Sequence, residues 1–202
     1  MKVTKFMNEI PMPSAEWSKC FGLTSPPVMA ARPLGGSELA AVLLEETDAL
    51  SQRLISIPNE NSYLVMLYFA DVEHRDVLVH GKPTEYRTYP QGSICLVDLE
   101  NGAKIEVRGS LNALAFRIPR SFLKEFGPHT GLGAVGLKTC RGAGDIIIHH
   151  LGEAMVSMLD LLSSERKLLL EHVFQALVAH LVHHYSDARD NGSSAFLRLT
   201  IH

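Results

Sequence analysis

Tyr89-Pro90-Gln91-Gly92-Ser93-Ile94-Cys95-Leu96-Val97-Asp98 is a turn followed by an apolar run, and its neighbours on both sides repeat the form. Tyr63–Ala70 is aromatic and aliphatic, Val77–Val79 ends in His80-Gly81-Lys82-Pro83, and Leu111–Ile118 ends at Pro119. In Ala103–Arg108 the residues alternate: Ala103, Ile105 and Val107 fall on one side, Lys104, Glu106 and Arg108 on the other. Alternation at period two marks a half-buried strand. Several short strands closed by Gly, Pro or Asn point to a sandwich or barrel. Ser62–Phe122 is therefore read as a small antiparallel β-barrel around which the rest of the chain packs.

Upstream, Met1–Pro33 is broken by Pro26-Pro27 and Pro33, so residues 1–38 form an arm, pinned to the domain by Trp17 and Phe21. Leu39–Leu44 is a strand candidate, with a helix as the alternative because of Ala40 and Ala41, and Gln52–Ile57 is a second. The barrel is assigned to residues 39–119.

After Pro119 the period changes. Arg120–Phe126 reads as a two-turn helix, with Gly127 as a left-handed cap and Pro128 blocking continuation. His129–Gly144 reads as a loop. Asp145 caps a helix over Ile146–Leu162, and a last helix runs from Glu165 to Tyr185. Residues 120–186 are thus a helical region, and 187–202 a flexible tail. Strands followed by helices make the chain α+β.

Composition narrows the function. The 202 residues are 46% hydrophobic and 20% charged, with a net charge of -3, so the chain can bury a core and carries no Lys/Arg-rich face for nucleic acid. The first residues hold no apolar signal segment, and the apolar runs are too short to cross a bilayer. Three widely spaced cysteines (Cys20, Cys95 and Cys140) fit reduced thiols in a cytoplasm.

Chemistry-bearing motifs are weak. Gly131-Leu132-Gly133-Ala134-Val135-Gly136 matches a dinucleotide-binding string, but no strand precedes it and no helix follows at once, so it reads as a connector. Of the ten histidines, His180 and His184 share a helix face, whereas His149 and His150 diverge and His74 and His80 fall near turns. A barrel metal site usually needs His-x-His on one strand, which this chain lacks. No catalytic residue, metal or cofactor is expected; a cupin-like metal-dependent enzyme is the alternative.

The succession Tyr63-Leu64-Val65, His80-Gly81-Lys82-Pro83, Tyr89 to Leu99, Leu114-Ala115-Phe116-Arg117-Ile118-Pro119, Leu151-Gly152-Glu153-Ala154-Met155 and Glu171 to Leu181 resembles the N-terminal sensor domain of AraC-type bacterial transcription regulators, over about Leu39 to Tyr185. The resemblance implies a cupin-like jelly roll that receives a small-molecule effector, and C-terminal helices that form a homodimer. It also implies a DNA-reading helix-turn-helix half, which this chain, ending at His202, does not contain; a piece of a longer regulator and a stand-alone binder are both open. Alternation nominates Met66, Tyr68, Leu96, Ile105, Leu114 and Phe116 as inward residues of the effector pocket, with His80 or Tyr86 as a polar handle. Phe174, Leu177, Val178 and Leu181 are nominated for dimerisation.

Overall fold

A computed structural model describes residues 12–48, 50–77, 82–130 and 136–187. A short helix, α1 (Ser14–Trp17), leads into a 3-10 turn that ends at Phe21. The strands are β1 (Val28–Ala31), β2 (Leu39–Glu46), β3 (Gln52–Ile57), β4 (Ser62–Tyr68), β5 (Val72–Asp76), β6 (Arg87–Tyr89), β7 (Ser93–Asp98), β8 (Ala103–Arg108) and β9 (Leu111–Pro119). Then come α2 (Arg120–Thr130), β10 (Cys140–Gly144), α3 (Ile146–Ser157) and α4 (Ser163–Tyr185). The order, mostly antiparallel strands and then helices, is that of an α+β chain.

The strands form a six-stranded sheet, β1-β2-β9-β4-β7-β10, and a four-stranded sheet, β3-β8-β5-β6. Every pairing is antiparallel. The expected barrel thus takes the form of two open sheets packed face to face; neither closes on itself. One apolar cluster lies between them, where Met66 and Ala113 of the larger sheet share a core with Ile55 and Val107 of the smaller. A second cluster lies on the other face of the six-stranded sheet, where Val65, Leu67 and Phe116 pack against α2, α3 and α4.

This layering explains the run-like sequence of the central strands. Every residue of β4 is buried, as are all but one of β9, because the sheet is covered on both faces. The smaller sheet keeps a wet outer side, and β3 and β8 alternate accordingly.

Local signals explain the helices. Asp145 caps α3 as expected, its Oδ1 accepting from the amides of Ile147 and Ile148 at 3.1 and 3.0 Å. Gly152 lets α3 settle onto β4, since a Cβ there would collide with Leu67 Cδ2. Some expectations need correction. Helix α2 does not stop at Phe126 but runs to Thr130: Pro128 forfeits its own backbone bond without forbidding the turn that follows. β10 lies in the expected loop, and β1, inside the expected arm, pairs with β2. Trp17 and Phe21 are fully buried in the inter-sheet core.

Candidate functional site

The space between the sheets is nearly filled. What remains is a cavity of about 20 Å³, room for roughly one water. Its walls are mainly apolar, with Phe21, Ile55, Leu64, Met66 and Ile105 among them. Polar side chains gather at one end. Tyr68 of β4 and His74 of β5 are both buried and joined by a 2.8 Å hydrogen bond between the Tyr68 hydroxyl and His74 Nε2. His74 also stacks on Tyr89, with ring centroids 4.1 Å apart and planes within 9°. The buried Cys95 lies in the same wall of the cavity.

His74 Nδ1 is buried and has no hydrogen-bond partner among the described residues. Burial pushes the pKa of this ring down from 6.5 to about 4, so it is neutral at physiological pH. Burial likewise holds the Tyr68 hydroxyl and the Cys95 thiol above their ordinary values. With the Tyr68 hydroxyl donating to Nε2, the proton of the neutral ring sits on Nδ1 and is left without an acceptor.

Asp76, two positions after His74 and on the same face of β5, pairs with Arg141 of β10 at 3.5 Å. This ion pair bridges the two sheets at the mouth. Both residues line the inner cavity, and both also line an outer cleft of about 600 Å³ bordered by Asn59, Glu100 and Lys104.

Three of the nominated pocket residues, Met66, Tyr68 and Ile105, line this cavity. Leu96, Leu114 and Phe116 do not: they sit in the cluster under the helices, and Cys95, Ala113 and Ala115 take the inward positions. Both faces of β7 and β9 are apolar, so composition could not tell inside from outside. Tyr86 is no handle either. It lies between the guanidinium groups of Arg75 and Arg108, 4.5 and 3.8 Å from its ring centroid, on the outer side of the smaller sheet. His80 falls outside the described residues, as do residues 131–135 of the glycine string.

Sequence reasoning missed His74, Asp76 and Arg141. His74 does not lie in a turn but on a strand, and the alternation of Val72, His74 and Asp76 was the signal that could have found it. The four residues nominated for dimerisation, Phe174, Leu177, Val178 and Leu181, are fully buried against the chain's own sheet. The stripe on α4 was read correctly as a face needing cover; the cover is intramolecular. Leu162, Leu168 and Leu169 are the large apolar side chains exposed at the α3–α4 corner, with Leu161 at the margin.

Three further histidines pair with carboxylates on the helices. His180 Nε2 and the Tyr185 hydroxyl each donate to Asp145 Oδ2 at 2.8 Å, tying the end of α4 to the start of α3. Burial acts to raise the Asp145 pKa, but the Ile148 amide and these two donors outweigh it and hold the carboxyl below its ordinary value. His149 and His150 both approach the Glu153 carboxylate, at 3.4 and 3.0 Å. Among the described residues, no group of three His, Cys, Asp or Glu is placed to hold a metal ion. Nor is any described helix long and apolar enough to cross a membrane.

No family model matches the chain, and no curated protein matches it significantly. Solved structures similar to it include cupins and a regulator. Ethanolamine utilization protein Q of Salmonella typhimurium is 17% identical over 46% of this chain and 68% of its own, with a TM-score of 0.32. An RmlC-like cupin from Desulfovibrio desulfuricans is 10% identical over 59% of this chain and 97% of its own, with a TM-score of 0.29. The AraC-like transcriptional activator CuxR is 9% identical over 85% of this chain, with a TM-score of 0.40, and the match spans 65% of the activator's length.

Proposed function

We propose that this chain is a non-enzymatic regulatory domain of the AraC sensor type, and that the inter-sheet cavity receives a small-molecule effector. The observation that carries the reading is His74 Nδ1: a fully buried polar atom, unpartnered, at the wall of an otherwise apolar cavity. A polar atom left unpaired in a core is costly, and a ligand that pairs it recovers that cost. As closed, the cavity has no room for an organic molecule, so occupancy requires the mouth to open. Binding is then tied to a change in how the sheets meet, which is what a sensor needs. Self-association through Leu161, Leu162, Leu168 and Leu169 belongs to the same reading, and DNA contact belongs to a domain outside this chain.

A thermal-shift screen of the purified chain against small organic acids, sugars and aromatic compounds tests it. An effector present at a hundredfold excess over its Kd adds about 2.7 kcal/mol of stability and raises Tm. Ile105→Trp, which fills the cavity from β8, should abolish that rise. A rise that survives Ile105→Trp unchanged places the ligand elsewhere and overturns the reading. So does stoichiometric iron, zinc, nickel or manganese in the purified protein, which would return the metal-dependent enzyme.

A further inference from the structure

We propose that the effector is a small, mostly apolar carboxylate whose head group displaces Asp76 from Arg141 and accepts a hydrogen bond from His74 Nδ1. This rests on the reading of the cavity as an effector site and adds the chemical class of the ligand.

The argument begins with how the polar groups are distributed. His74 and Asp76 occupy alternate positions on β5 and so share one face, while Arg141 reaches the same end of the cavity from β10. Arg141 sits at an irregularity: the register between β10 and β7 shifts between Arg141 and Ala143, around Gly142 in a left-handed conformation with φ 68°. Such a bulge re-aims the side chain beside it, and here that side chain lines the cavity.

Arg141 is the only cation among the described lining residues of the inner cavity. Its contact with Asp76 runs through Nε at 3.5 Å, looser than a two-pronged guanidinium–carboxylate pair. A guanidinium has five N–H donors, and this contact uses one. Asp76 also borders the outer cleft, so it can turn out to water when another carboxylate takes its place. That rotation opens the closed cavity to the cleft.

A carboxylate has two oxygens, and the site offers two uncommitted donors: the Arg141 fork and the Nδ1–H of neutral His74. The apolar walls, Phe21, Ile55, Leu64, Met66 and Ile105, then face a hydrocarbon or aromatic tail. A sugar would leave most of its hydroxyls unpaired against them. A cationic head would face Arg141.

The test compares hexanoate and benzoate with hexanamide and benzamide, by calorimetry and thermal shift on the intact chain near neutral pH. The acids should bind at least about tenfold more tightly than their amides, given the strength of hydrogen bonds between charged groups. Arg141→Gln should erase that preference. Asp76→Asn, which removes the competing carboxylate, should tighten the acids several-fold and leave the amides unchanged. Both side chains are about one-third exposed, so both variants should fold. Hexanoate should also shift the ¹⁵N resonance of His74 Nδ1. Amides that bind as tightly as acids overturn the carboxylate class while leaving the effector cavity standing. Acids that fail to bind at all overturn the proposal, and the broader screen then judges the cavity on its own.

Discussion

The two faces of the six-stranded sheet are both buried, yet they are built differently. Under the helices, Leu67, Phe116, Phe174 and Leu177 form a close-packed apolar layer, tight enough that Gly152 admits no Cβ. Between the sheets, the core carries two tyrosines, a histidine and a thiol, leaves two ring nitrogens, His74 Nδ1 and Trp17 Nε1, unpaired and ends in an ion pair at an open cleft. The first face has the features of a support, where every contact adds to stability. The second keeps a polar defect that packing alone does not require. Sites that violate the rules of a good core are where function is expected.

The largest effect should come from the helix face. Phe174 is fully buried there, so Phe174→Ala should cost about 3–5 kcal/mol in urea denaturation, the usual range for emptying such a site. A loss below about 1 kcal/mol would mean that α4 packs loosely and that the contrast between the faces is false. The result also bears on dimerisation. If α4 were released from the sheet to pair with another copy, the loss would depend on protein concentration.

Acid should discriminate between the faces next. The unfolded His74 ring takes up a proton near 6.5, whereas the folded ring does so only near 4. Between those values the unfolded state binds more protons, so stability falls as pH falls through that window. The gap is worth about 3 kcal/mol, fully present at neutral pH and lost by about pH 4. Unfolding free energies measured at steps from pH 7 to pH 4 should show this slope, and His74→Phe should flatten it. A slope that persists in His74→Phe would move the acid sensitivity to the carboxylates that hold the helices, Asp145 foremost.

The same contrast governs how much of the molecule could be read in advance. Ala103, Ile105 and Val107 were assigned to one face because the other face of β8 is wet, and the assignment holds. Met66 and Tyr68 also point inward, but their strand offered no alternation to prove it. On β7 and β9, covered on both sides, Leu96, Leu114 and Phe116 looked like equally good inward residues and are not. Asp145 was legible as a cap because the chemistry is local. Its ties to His180 and Tyr185 were not, because they join distant parts of the chain. β10 was hidden by Gly142 and Gly144, residues depleted in strands, and with it went Arg141. The stripe on α4 announced a partner without saying which. The site was thus half legible: its apolar wall follows from periodicity, whereas its polar end depends on a bulge and a cross-sheet pairing that no local pattern records.

The smallest effect is expected at the mouth, and it separates a gate from a bolt. Asp76 and Arg141 are both about one-third exposed, and an exposed ion pair contributes about 0–1 kcal/mol. Asp76→Asn should therefore change the unfolding free energy by no more than that, even though the pair bridges the two sheets. A loss near 3 kcal/mol would mean that the sheets depend on the pair, and opening them for a ligand would then consume most of what the ligand contributes. A small loss leaves the closed state held by little more than the apolar contacts behind it. The mouth then opens at low cost, while the helix-covered face, held by Phe174, Leu177 and Leu181, stays shut.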